Sequence, residues 1–181
     1  AVPLGPESLP GRLRHGIRSA SVDDEDGNPQ PAGPGKDSGA SEEEEKAVVN
    51  KTWNIAIVGP GWVAGAYAET FRKRDDVRIG HVVGRTVDGA SAFAAEHGLD
   101  CPCSDSIQTA LKNPAIDIVG VFTPHHLHAQ AVLAAAKAGK HIIIEKPVCL
   151  TLPDLKAMRA AVRDAGVKTI IGFVLRWNPL L

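Results

Sequence analysis

The sequence predicts a doubly wound α/β domain built on a parallel sheet, and three observations predict it. From Trp53 onward, short apolar runs rich in Val and Ile alternate with stretches whose apolar residues recur every three or four positions. The strand-like runs are apolar almost throughout rather than at every second residue, as burial on both sheet faces demands. Single helices separate successive strands, which favours parallel pairing with helices on both faces.

Each element has its own warrant. Trp53–Val58 (WNIAIV) is a β-branched run closed by Gly59 and reads as a buried first strand. From Trp62 to Arg74, the residues Val63, Ala66, Tyr67, Thr70 and Phe71 recur at helical spacing. Val77–Val83 is the second strand, and Val87–His97 is a helix stopped by Gly98. A shorter helix over Ser106–Lys112 is expected to take Asp105 as its cap. Ile116–Phe122 (IDIVGVF) is a strand, His126–Ala138 an alanine-rich helix ended by Gly139, and His141–Ile144 a short strand apolar enough to be central. Thr151 with Asp154 three residues later is a capping-box signature for a helix ending at Gly166. Lys168–Leu175 is the last strand.

Composition sets a different segment in front of this domain. Residues 1–46 hold 7 of the 18 glycines, 6 of the 13 prolines and none of the eight aromatic residues, with ten acids against five bases. Such a stretch buries too little apolar surface to offset its ordering entropy, so residues 1–50 are expected to form a disordered acidic tail. No apolar core follows a basic start, which argues against secretion, and Asp23–Asp26 argues against an organelle transit peptide. The sole methionine is Met158, so Ala1 is expected to mark a processed chain or a fragment. A formal net charge of −1 excludes a broadly polybasic nucleic-acid binder. No apolar run approaches the roughly 18 residues of a membrane helix, so no membrane partner is expected. Three cysteines fit a reducing, cytoplasmic setting better than a disulfide framework.

The turn Gly59-Pro60-Gly61-Trp62-Val63-Ala64-Gly65 matches the dinucleotide fingerprint G-x-G-x-x-G/A between a buried strand and an amphipathic helix. Gly59 permits the tight turn, Gly61 lets a pyrophosphate approach the backbone, and Ala64 is small enough for helix to pack near strand. The helix N-terminus, at Trp62 and Val63, offers free N–H groups to an anion. Trp62 itself reads as a loop or packing aromatic within reach of the cofactor. At the end of the second strand, Val83-Gly84-Arg85-Thr86 carries no acid for a ribose hydroxyl. Arg85 can pair with a 2′-phosphate and Thr86 can add a donor, which favours NADP over NAD. The alternative is that Arg85 stacks on adenine or faces water.

Glu145-Lys146-Pro147 follows a strand directly, and ligands of open parallel sheets gather beyond the carboxyl ends of strands. A lysine there can donate to a substrate oxygen or, if desolvated, assist proton transfer. Glu145 is expected to orient it or touch the cofactor, and Pro147 to fix the backbone, as a cis bond could.

Together these residues resemble the glucose-fructose oxidoreductase / inositol dehydrogenase / rhizopine-catabolism (Gfo/Idh/MocA) family and its Rossmann-like nucleotide domain. The likeness covers roughly residues 52–181. It rests on the glycine turn, Thr123-Pro124-His125-His126-Leu127-His128, Ala138-Gly139-Lys140-His141 leading into Glu145-Lys146-Pro147, and Gly172-Phe173 with Arg176-Trp177-Asn178-Pro179. The resemblance implies that Thr123, Pro124, His125 and His128 lie by the nicotinamide ribose. It implies that Lys146 contacts cofactor and substrate, and that Arg176 or Trp177 lines the nicotinamide side. It further implies a second α/β domain, through which relatives often pair as homo-oligomers and which supplies substrate contacts. By this reading residues 51–175 are the NAD(P)-binding domain, residues 176–181 begin the substrate domain, and the chain alone is expected to be inactive. Gly84 departs from the acid found in many relatives and bears on the cofactor choice.

Other constellations are weaker. Cys101 and Cys103 lie only two apart, so with His125, His126 and His128 they lack usual zinc spacing, and no metal is expected. The reading reached is an NAD(P)-dependent oxidoreductase acting on a sugar, polyol or related hydroxy compound, with Lys146 catalytic. The alternatives are a glycoside-cleaving relative that uses the nicotinamide transiently, and a dinucleotide-sensing or corepressor module without turnover.

Overall fold

The structure is a computed structural model that describes residues 51–173. The expected tail (1–50), the end of the last expected strand, and Arg176 and Trp177 lie outside the described residues. Six strands form one parallel sheet: β1 (Trp53–Val58), β2 (Val77–Val83), β3 (Cys103–Ser104), β4 (Ile118–Val121), β5 (His141–Glu145) and β6 (Thr169–Gly172). Their spatial order is β3-β2-β1-β4-β5-β6. The chain therefore winds outward from β1 in one direction, returns, and winds outward again from β4. That reversal leaves a crevice above the carboxyl ends of β1 and β4.

The helices are α1 (Trp62–Phe71), α2 (Val87–Glu96), α3 (Ile107–Lys112), α4 (His128–Lys137) and α5 (Leu152–Ala165). Successive side chains of a strand point to opposite faces, and β1 divides its core accordingly. Ile57 packs with Ala64 and Ala68 of α1 and Ala90, Phe93 and Ala94 of α2. Ala56 and Val58 join Leu111 of α3, Val132 and Ala135 of α4 and Met158 of α5 on the other face. Small alanines recur on the buried sides of α1, α2 and α4, letting those helices sit close to the sheet.

Most boundaries fall near expectation, and the departures have local causes. α1 stops at Phe71 because Lys73 and Arg74 close turns onto Thr70 and Phe71 instead of extending the helix. β3 is only two residues long and carries no periodicity by which it could be read. β4 is trimmed at both ends, although Phe122 N–H still donates to the Val58 carbonyl at 2.8 Å. β5 extends one residue further, to Glu145, which pairs in register with Gly172. The expected helix start at His126 is instead a 3₁₀ turn, His125–Leu127, that hands over to α4 at His128. The Thr151 half of the α5 capping box forms: its Oγ1 accepts from Asp154 N–H at 3.2 Å, while the Asp154 side chain takes the Thr151 hydroxyl proton at 2.7 Å in place of the backbone N–H. Gly166 ends that helix with φ 65°.

Candidate functional site

The crevice predicted by the strand order is a cleft of about 890 Å³. Its walls come from the β1–α1 turn (Gly59, Pro60, Gly61), the β2–α2 turn (Gly84, Arg85, Thr86), the segment after β4 (Phe122, Thr123, Pro124), and Asp105 and Gln130. All of these follow strand carboxyl ends or lie on the helices that succeed them.

The glycine turn is shaped by two opposite requirements. Gly59 has φ 90°, and a Cβ there would stand 2.6 Å from Thr123 N and 2.7 Å from Thr123 Cα. Only glycine lets the turn lie against the segment after β4. Gly61 lies in extended backbone, and a Cβ there would meet nothing within 4 Å. It precedes α1 with no side-chain cap, leaving the first N–H groups of that ten-residue helix without a side-chain partner. On the segment against which the turn lies, Thr123 Oγ1 is a buried hydroxyl with no hydrogen-bond partner among the described residues. A backbone cradle open to an anion, with an unpartnered hydroxyl on the neighbouring segment, fits a phosphate-bearing ligand with a polar group further along.

On the β2 side, Thr86 caps α2 by accepting from Gly89 N–H at 3.1 Å, which leaves its hydroxyl proton to donate elsewhere. Arg85 is exposed on the cleft wall and has no ion pair among the described residues. Gly84 has little room: a Cβ there would lie 2.9 Å from the Thr86 carbonyl oxygen and 3.1 Å from Ala90. Asp105 does not cap α3. Ser106 precedes that helix with no side-chain cap bond, and Asp105 lines the cleft instead.

The remaining expected site residues are distributed differently. Trp62 is 90% exposed, Val63 is half-buried and Ala64 is fully buried against the sheet, none of them on the cleft wall. His125 is exposed beside the cleft without lining it. His128 departs most from expectation: it is fully buried, with both ring nitrogens on backbone carbonyls, and has no surface to offer a cofactor. Lys146 is exposed on the same rim as the glycine turn, since β1, β4 and β5 run parallel in register, but outside the cleft. The Lys146–Pro147 bond is cis.

Glu145 is buried rather than turned to a ligand. Its Oε1 accepts from the Tyr67 hydroxyl at 2.8 Å, and its Oε2 accepts from Lys146 N–H at 3.2 Å. Burial, and then the Glu145 carboxylate, push the Tyr67 phenol well above its ordinary value. Gly172 completes the pocket, because a Cβ there would collide with both the carboxylate and the phenol. Tyr67 escaped sequence reasoning. The available signal was a tyrosine among the apolar residues of α1, whose hydroxyl needs a partner when buried. No group of three His, Cys, Asp or Glu side chains among the described residues could hold a metal ion.

A family profile, GFO_IDH_MocA, described as an oxidoreductase family with an NAD-binding Rossmann fold, matches residues 53–173. The chain belongs to this family. Levoglucosan dehydrogenase of Pseudarthrobacter phenanthrenivorans is 32% identical over 134 residues, which cover 70% of this chain and 34% of the relative. Inositol 2-dehydrogenase of Rhizobium meliloti is 30% identical over 128 residues, covering 71% of this chain and 38% of the relative. A solved levoglucosan dehydrogenase complexed with NADH and levoglucosan aligns with a TM-score of 0.65 at 28% identity, covering 68% of this chain and 35% of that one. The chain thus spans about a third of the length of these Gfo/Idh/MocA relatives. No helix among the described residues is long and apolar enough to cross a membrane.

Proposed function

We propose that residues 51–175 bind NADP, in preference to NAD, across the cleft between Gly59–Gly61 and Thr123. On this reading the protein is a cytoplasmic oxidoreductase of sugars, polyols or related hydroxy compounds, without nucleic-acid or membrane partners and able to self-associate. The observation that carries the reading is the open backbone at Gly61 and the cleft-lining Thr123, with its unpartnered buried hydroxyl, in one cleft. Gly59, Gly61 and the α1 N-terminus at Trp62–Ala64 seat the pyrophosphate. Arg85 pairs with a 2′-phosphate while Thr86 donates its remaining proton, against the opposing charge of Asp105. Thr123 and Pro124 border the nicotinamide ribose, with His125, Arg176 and Trp177 on that side.

When bound, the dinucleotide supplies the hydride donor or acceptor at nicotinamide C4. Lys146 hydrogen-bonds the reacting substrate oxygen and assists its proton transfer, with Glu145 holding the backbone N–H beneath it. Levoglucosan dehydrogenase and inositol 2-dehydrogenase, among the relatives, support a polyhydroxylated substrate by their names.

Calorimetric titration with NADPH and NADH tests the cofactor assignment. NADPH is expected to bind more tightly, and Arg85→Ala to weaken NADPH by about tenfold or more with little effect on NADH, the loss of a charge-assisted phosphate contact. NADH binding as tightly as NADPH overturns the preference, and binding of neither overturns the reading. In a protein competent for turnover, Lys146→Ala is expected to lower the rate about a hundredfold with cofactor affinity little changed.

A further inference from the structure

We infer that His128 is a positioning residue, a buried clasp tying the segment after β4 to the turn after β5 so that the two form one wall beside the nicotinamide half of the cleft. The inference rests on the dinucleotide reading above and deepens it.

His128 is the first residue of α4 and is 0% exposed. Its Nε2 lies 2.9 Å from the Thr123 carbonyl oxygen and its Nδ1 lies 3.0 Å from the Pro147 carbonyl oxygen. Both partners are acceptors, and the imidazole lies between them with one ring nitrogen within hydrogen-bond distance of each, the tautomer setting which carbonyl receives the N–H. The β4–β5 ladder ends at the Val121–Ile144 pair. Beyond that pair the two segments no longer pair with each other, and past Phe122 and Glu145, which still bond Val58 and Gly172, they run as separate rim loops that ordinarily open independently.

One loop carries Thr123, a cleft-lining residue whose hydroxyl is buried and unpartnered among the described residues, and the other carries Lys146. A single imidazole fixes the backbone of the first at Thr123 and of the second at the residue following Lys146. The ring cannot touch a cofactor from its buried place, so its contribution passes through Thr123 and Lys146. Apolar packing does not reproduce a polar ring held between carbonyls of two different loops.

The test compares the chain with its His128→Ala, His128→Asn and His128→Gln variants. Asparagine and glutamine each offer an amide donor but not a ring with nitrogens at opposite edges that reaches both carbonyls. In hydrogen–deuterium exchange, the amides of residues 122–127 and 145–149 should accelerate together by about tenfold in the alanine variant, with α1 unchanged. Exchange that rises in only one loop, in neither, or equally across the sheet overturns the clasp. In binding, the alanine variant should weaken reduced dinucleotide by about tenfold while ADP-ribose, which lacks the nicotinamide, stays within about twofold. An equal loss for both ligands reduces His128 to a folding residue and overturns the proposal.

The asparagine and glutamine variants should fall between wild type and alanine in both measurements, and they carry the comparison if the alanine variant does not fold. Should wild type bind neither ligand, the function proposed for the cleft fails, and the exchange data alone decide the clasp.

Discussion

A methyl group added at residue 59 and one added at residue 61 meet different surroundings. At Gly59 it enters a positive-φ backbone and presses on Thr123. Gly59→Ala should therefore lower stability by about 2 kcal/mol or more, read by chemical denaturation. At Gly61 the backbone is extended and the space open, so Gly61→Val should melt like wild type yet lose dinucleotide affinity in a calorimetric titration. Normal binding by Gly61→Val would put the phosphates elsewhere. Tyr67 provides a second test, because it is the only tyrosine in the chain. Its raised pKa stabilises the fold fully below the unfolded value of 10.0, and that contribution is lost as pH rises through the folded value. Tyrosinate absorbance should thus stay low past pH 10.0, and Glu145→Gln should move its onset down only part of the way, since burial is the larger cause. The glycines were legible in the sequence because a turn is a local object. The Tyr67–Glu145 bond was not, because its partners lie 78 residues apart and meet only in the folded domain.

Helices and strands were legible where their residues repeat and obscure where they do not. β1 and β2 match their expected bounds, since both are long and end in runs buried on both faces. The two residues of β3 pair with Val82 and Val83 through tertiary placement alone. Asp105 illustrates the same limit: a cap residue before a short helix is a sound local expectation, but the turn after β3 presents it to the cleft. The α5 start combined two local signals, Thr151 and Asp154, with Pro153 in the first turn, and there the expected cap formed. Thr151→Ala should cost about 1 kcal/mol, measured as a shift in the denaturant midpoint with an unchanged slope. A change well below that would mean α5 is held by Met158 and its neighbours rather than by its cap.

At the scale of the molecule, the order β3-β2-β1-β4-β5-β6 carries the glycine turn, Arg85, Thr123 and Lys146 to one rim, which the alternation of elements had implied. The sequence did not separate rim from cleft, so it grouped Lys146 and His128 with residues that line the crevice. Among the described residues β6 is an edge strand, with Ile170 64% exposed and Phe173 also exposed. Such an edge invites pairing with other chains, and Ile170→Lys should reduce concentration-dependent light scattering without changing nucleotide affinity. The cramped ground at Gly84 also bears on redesign. On the proposed NADP reading, an engineer converting this protein to the unphosphorylated coenzyme would ordinarily install a carboxylate there, but the Thr86 carbonyl and Ala90 already occupy its path. The conversion calls for recutting the whole bend between Gly84 and Ala90, and a single-codon swap would fold poorly before it switched anything.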